Sequence, residues 1–86
     1  MELLYYAIIS VCLSAGGCSK TEDFNRYIYM NAVPFEQCLA VVEQMVVEER
    51  KSNPDLLHRP FSTLCVQEGA LTDEDKLKYT IWGTTL

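Results

Sequence analysis

Residues 3–15 read LLYYAIISVCLSA, and whether this apolar run is a leader, a membrane span or a strand decides what the rest of the chain can form. A secretory leader carries positive charge ahead of an apolar core of about 7–15 residues and ends in a small-residue cleavage site. Here the charge ahead of the run is Glu2, of the wrong sign. The box Ala15-Gly16-Gly17-Cys18 has the outline of a lipoprotein cleavage site, but Ala15 stands where a bulky aliphatic is usual. A membrane helix takes about 20 apolar residues, more than this tyrosine-containing run supplies. What remains is a β-strand, because Tyr5, Tyr6, Ile8, Ile9 and Val11 are the aromatic and β-branched types that suit a pleated surface. The turn residues Ser14-Ala15-Gly16-Gly17 close it. Leu3, Tyr5, Ala7, Ile9 and Val11 fall on one face and Leu4, Tyr6, Ile8 and Cys12 on the other. Both faces are apolar, so the strand is expected at the centre of a sheet.

Outward from it, residues 14–25 form a polar connection with Lys20, Glu22 and Asp23 in solvent. The stretch NRYIYMN, 25–31, reads as a second strand with Tyr27 and Tyr29 on one face and Ile28 and Met30 on the other; a connection without a helix favours antiparallel pairing with the first. Then comes the clearest element. Pro34 has the fixed φ suited to a first helical position, Glu36 lies near the positive end of the helix dipole, and Phe35, Cys38, Leu39, Val42, Met45, Val46 and Glu49 recur at three- and four-residue steps. Arg50 and Lys51 sit at the C-terminal end, and Asn53-Pro54 stops the helix. RPFSTLCVQ, 59–67, gives a third strand with Phe61, Thr63 and Cys65 facing one way and Ser62, Leu64 and Val66 the other. Residues 68–76 form a loop or a helical turn capped by Thr72. Finally KLKYTIWGTTL, 76–86, alternates Leu77, Tyr79 and Ile81 against Lys76, Lys78 and Thr80, the pattern of an edge strand or a swapped arm. The expected architecture is α+β: a small antiparallel sheet of three to four strands packed against one long amphipathic helix. It is a single domain over 1–86 with a core at 3–66 and a C-terminal arm at 71–86.

At 86 residues, a folded chain buries only about 60–65% of the surface exposed by its unfolded form, so the core is thin. Hydrophobic residues at 49% and charged residues at 22% exclude the composition of a disordered chain. A net charge of −5 with seven Lys and Arg argues against nucleic acid as a partner, since such affinity comes largely from cations on phosphates. Mimicry of nucleic-acid charge would want acids in a stripe, and the twelve here are scattered.

Four cysteines in a chain this short fit two disulfides. If the first strand runs up, the second runs down, the helix up and the third strand down. Cys12 and Cys18 then share the top, and Cys38 and Cys65 the bottom. Because a disulfide needs Cα atoms within about 7 Å, the compatible pairing is Cys12 with Cys18 and Cys38 with Cys65. In the loop-entropy picture these contribute about 2.4 and about 3.6 kcal/mol. Two other arrangements use the same residues: a four-thiol zinc site with His58, which the lack of any Cys-x-x-Cys pair opposes, and free buried thiols in a reducing cytosol.

No catalytic constellation stands out. His58 is the only histidine, and a Cys-His nucleophile would need Cys65 beside it and a third group to orient the ring. Glu43, Glu48 and Glu49 fit a solvated helix face. No glycine-rich phosphate loop, nucleophile elbow or metal-binding helix motif occurs. The expectation is a non-enzyme without cofactor or metal. One helix covers one sheet face, yet the first two strands carry large side chains on both. Some of Tyr5, Tyr27, Tyr29 and Trp82 are therefore expected at the surface, as an aromatic interaction patch, unless the C-terminal arm folds back over it. Self-association, as a dimer, and capture of another protein are the expected uses.

A strand ending in Cys12, then Cys18, a strand, the helix PFEQCLAVVEQMV and the strand STLCV resembles a loose group of small cysteine-bearing proteins from bacteriophages and bacteria. The likeness covers about residues 4–66 and rests on spacing. It implies a compact α+β domain and a phage accessory origin, and it assigns no chemistry. Two functional expectations follow: an accessory protein that binds or inhibits a host protein in the host cytoplasm, or a disulfide-stabilised structural module in the periplasm or envelope. A small-ligand pocket is a third reading, which no residue pattern favours.

Overall fold

The computed structural model describes residues 3–12, 18, 24–56 and 59–82. Residues 14–17 and 19–23 of the connection expected at 14–25, His58, and residues 83–86 of the expected arm lie outside them. Strand β1 spans Leu4–Cys12, β2 spans Phe24–Pro34, helix α1 spans Phe35–Ser52, and β3 spans Phe61–Gln67. A short helical turn, α2, spans Asp73–Lys76, and β4 spans Thr80–Ile81. The sheet order is β3-β1-β2-β4, which puts the doubly apolar strand β1 inside the sheet as its composition requires.

β1 pairs antiparallel with both β2 and β3, while β4 runs parallel to β2. The sheet is thus mixed, not wholly antiparallel. The reason is the arm: after β3 the chain crosses the sheet and reaches the far edge of β2 travelling in the direction of β2. β2 is longer than the alternation NRYIYMN indicates. It begins at Phe24 and runs on past Asn31 through Ala32 and Val33 to Pro34, and a bulge absorbs the mismatch, since Tyr5 faces Val33 whereas Ala7 faces Tyr29. Pro34, expected as the first helical residue, instead ends β2 with a ψ of 155° and stands as the N-cap of α1, which begins one residue later at Phe35.

α1 has 18 residues, about 27 Å, and lies across one sheet face. Its Cys38, Val42 and Met45 join Ala7 and Ile9 in a buried layer flanked by Tyr5, Tyr27, Tyr29, Val33, Phe61 and Trp82. The predicted stripe is wider than the contact: Phe35 and Leu39 emerge from it into solvent. On the opposite face, Tyr6, Ile8 and Ile28 are also buried, beneath Ala32, Val66, Leu71 and Tyr79. Leu71 and Tyr79 belong to the C-terminal arm, so the arm does fold back over the sheet.

The arm is built as a capped turn, not as a long strand. Thr72 accepts a hydrogen bond from the Asp75 N–H at 3.2 Å, and the Asp75 carboxylate accepts one from the Thr72 N–H at 3.3 Å, a reciprocal cap. The alternation read from 76–81 fails over its first half for this reason. Leu77 is 85% exposed on the outside of the turn, while Lys76 lays its ammonium 4.8 Å from the centre of the Tyr6 ring. Only Thr80 and Ile81 pair as a strand, extended by the Trp82 N–H donating to the Ile28 carbonyl at 3.0 Å.

Candidate functional site

The four aromatics expected to form an interaction patch all lie in the helix-side layer, and none falls in the exposed class. Each has a local partner. Tyr5 meets Phe35 edge to face with ring centres 5.2 Å apart, and Tyr29 meets Trp82 in the same way at 6.3 Å. The Tyr27 hydroxyl accepts a hydrogen bond from Asn25 Nδ2 at 2.7 Å. Burial, with the Glu49 carboxylate nearby, holds the Tyr27 phenol above its ordinary value. Odd-numbered residues of β1 and β2 point toward α1, which leaves these four aromatics half-buried on the helix side, while the arm packs on the opposite face over Tyr6, Ile8 and Ile28.

The cysteines are brought together as the strand directions require. Cys12 and Cys18 stand at disulfide distance with Cα atoms 5.8 Å apart at the top of β1, and Cys38 and Cys65 with Cα atoms 6.1 Å apart between the first turn of α1 and β3. Among the described residues, no group of three or more His, Cys, Asp or Glu side chains is arranged to hold a metal ion. No helix among them is long and apolar enough to cross a membrane.

The accessible apolar surface lies elsewhere, along β3. This strand is an edge of the sheet, and no described strand pairs with its outer side. Its register with β1 runs without a shift from Tyr5 opposite Gln67 to Val11 opposite Phe61, so the edge is straight and free of bulges. Alternate residues of an antiparallel edge turn their backbone N–H and C=O groups outward, available to another chain. On the arm side of the sheet, Leu64 is 55% exposed. On the helix side, an open groove of about 490 Å³ runs between α1 and β3, lined by Leu39, Val42, Val46 and Val47 from the helix and by Phe61 and Thr63 from the strand. Leu39 and Val47 are 50% and 43% exposed on its outer wall.

Two charges border this groove, Glu43 midway and Arg50 at its upper end. Arg50 stacks its guanidinium 5.1 Å above the Phe61 ring and donates from Nη2 to the Arg59 carbonyl at 3.3 Å. Arg59 in turn donates from Nη1 to the Cys12 carbonyl at 3.2 Å. This chain ties the end of α1 to the start of β3 and the end of β1 at the upper end of the groove. The buried Nε atoms of Arg50 and Arg26 have no hydrogen-bond partner among the described residues.

Sequence reasoning placed Phe61, Thr63 and Leu64 on their correct strand faces but did not single out β3 as a contact edge. The signal was present: from Phe61 to Gln67 the chain carries no charge and no proline, the two devices that natural edge strands most often use to repel other strands. Comparison with protein families, with characterised proteins and with solved structures finds no match to this chain.

Proposed function

We propose that this chain is a non-enzymatic protein-interaction module that engages its partner along the outer edge of β3 and the adjoining α1 groove. The observation that carries the reading is an uncharged seven-residue edge strand, in unbroken register, beside a groove whose outer wall exposes Leu39 and Val47. Strand addition to such an edge draws affinity from main-chain hydrogen bonds and specificity from the flanking apolar side chains. The resemblance to phage and bacterial accessory proteins points to a host protein among the partners and to the host cytoplasm as the setting. A photo-crosslinking residue at Leu39 or Leu64 is expected to capture a protein, and Val47→Lys to reduce that capture. The same residue at Leu77, more exposed than either but on the arm, is expected to capture none. Equal capture from Leu39 and Leu77 would contradict the proposal.

A second reading concerns the compartment, and the two cysteine pairs at disulfide distance favour it. A small domain with a thin core that carries two such links fits an oxidising setting such as the periplasm or envelope. Protein purified without reductant should then take up no thiol-alkylating reagent until it is unfolded and reduced. Alkylation at all four cysteines before reduction would exclude this reading.

A further inference from the structure

We propose that the Cys12–Cys18 pair is a site of thiol–disulfide exchange, open in the folded chain to an anionic low-molecular-weight thiol of the glutathione class, whereas Cys38–Cys65 is inert to it. The inference rests on the reading of the four cysteines as two disulfides, and it assigns a chemistry to one of them.

Exchange needs access to one sulfur and stabilisation of the thiolate that leaves from the other. At Cys38–Cys65 both routes are closed. Cys38 is fully buried in the layer with Ala7, Ile9, Val42 and Met45, out of reach of an attacking thiolate. Cys65 is partly open, but attack there would expel the Cys38 sulfur as a thiolate into that apolar layer, where burial disfavours the charged form.

Cys12–Cys18 differs on both counts. Both residues are partly open to solvent. The sheet register also builds an electropositive corner around Cys12. Phe24 lies directly opposite it on β2, and Arg26, two positions along on the same face, holds its guanidinium 5.9 Å from the centre of the Phe24 ring. Arg59 reaches Cys12 from the start of β3, donating from Nη1 to the Cys12 carbonyl at 3.2 Å. Across the sheet from Ser10–Cys12 stand Phe24, Asn25, Arg26, Phe61 and Ser62, so the two arginines are the charged side chains among the described residues there. Neither is paired with a carboxylate, since the ion pairs among the described residues are Lys76–Asp73 and Lys78–Asp75, both on the arm. The buried Arg26 Nε is an unused donor on the sheet face that carries the Cys12 side chain. A thiolate released at Cys12 supplies the counter-charge that this corner lacks, and a chain of net charge −5 gathers small anions where its cations converge.

The incoming thiolate attacks Cys18 Sγ and forms a mixed disulfide, while the Cys12–Cys18 bond breaks and its electron pair leaves on Cys12 Sγ. A second thiolate attacks the small-molecule sulfur of the mixed disulfide. The products are the symmetric small-molecule disulfide and a Cys18 thiolate that takes a proton from water. Two small thiols are oxidised, and the protein pair gains their two electrons.

The test follows exchange in the full, folded chain with excess glutathione at neutral pH, quenched by alkylation, with each cysteine mapped by peptide mass. Cys12–Cys18 is expected to open at least about tenfold faster than Cys38–Cys65, with the glutathione adduct on Cys18 and an unchanged far-UV spectrum. Arg26→Gln is expected to slow opening about three- to tenfold, and Arg26→Lys, which keeps the charge, to retain most of the rate. The Arg26→Gln change is also expected to narrow the preference for glutathione over cysteamine, a cationic thiol, after allowance for the acidity of each. A purely structural role for Arg26 would leave that ratio unmoved. Equal rates at the two pairs, an adduct on Cys12 in place of Cys18, or an Arg26→Gln protein that reacts like its parent overturns the proposal and leaves the disulfide reading standing. Alkylation of all four cysteines before any thiol is added overturns both.

Discussion

Replacing Cys38 and Cys65 together by alanine separates the contributions of the two cysteine pairs. Their separation of 27 residues sets the loop that a covalent link removes from the unfolded ensemble, and the corresponding entropy amounts to about 3.6 kcal/mol at room temperature. Cys38 is fully buried in the layer with Ala7, Ile9, Val42 and Met45, so its lost sulfur leaves a small void worth about 1 kcal/mol more. Cys12 and Cys18, only six residues apart, close a loop worth about 2.4 kcal/mol. The two loops do not overlap in sequence, so the effects should add. Thermal unfolding followed by far-UV circular dichroism, at neutral pH without reductant, should show the midpoint falling by about 18–37 °C for Cys38→Ala with Cys65→Ala. The Cys12→Ala with Cys18→Ala protein should lose about 10–20 °C. Replacing all four cysteines takes away about 7 kcal/mol, comparable to the whole stability of many domains, and should leave the chain close to unfolded at room temperature. The reasoning is refuted if the Cys12 and Cys18 replacements cost as much as those at Cys38 and Cys65, or if reductant leaves the native midpoint where it was.

The remaining predictions concern the arm and the layer under α1. Leu71→Ala should loosen the arm and raise the binding of a hydrophobic dye as Tyr6, Ile8 and Ile28 become accessible, whereas Leu77→Ala, on a side chain 85% exposed, should shift stability by no more than about 0.5 kcal/mol. Ile28→Ala, which empties a fully buried site, should cost about 2–5 kcal/mol in urea denaturation. Hydrogen bonding from Thr72 holds the Asp75 carboxyl below its ordinary value, so the cap's contribution is complete above about pH 4 and is lost as pH falls through the lowered folded value. Trp82 fluorescence should follow that loss, and Asp75→Asn should abolish its pH dependence. Tyr27, raised by burial and by Glu49, favours its neutral form in the fold; that stability is complete below about pH 10 and is lost as pH rises through the raised value. A phenolate absorbance titration should show a late-ionising tyrosine that Tyr27→Phe removes and Glu49→Gln brings earlier.

Much of this architecture is legible in the chain because its elements obey single periodicities. β1 is apolar at every position that matters and could only be central. The three- and four-residue recurrence from Cys38 to Met45 could only be a helix face. Those two readings, with strand directions, were enough to bring Cys38 to Cys65 and Cys12 to Cys18. The arm was legible in part: Thr72 announced its cap, but the alternation from Lys76 to Ile81 is equally compatible with a turn, and tertiary contact decided. Lys76 packs its stem on Tyr6, which no hydropathy pattern rewards. The candidate site was the least legible part. Tyr5, Tyr27, Tyr29 and Trp82 drew attention because large aromatics dominate interfaces, yet the same bulk lets them fill the margins of a thin core. What distinguishes β3 is an absence of charge, and an absence becomes meaningful only once the strand is known to be an edge.

The most direct measurement is amide hydrogen exchange along β3, residue by residue, in dilute protein. With both sheet faces covered and the outer side of β3 open, protection should alternate from Phe61 to Gln67. Residues bonded to β1 should exchange slowly and the intervening ones quickly, while every amide in the middle of β1 stays slow. Uniform protection along β3 would mean that its outer edge is already occupied within the single chain, and the contact surface assigned here would not exist.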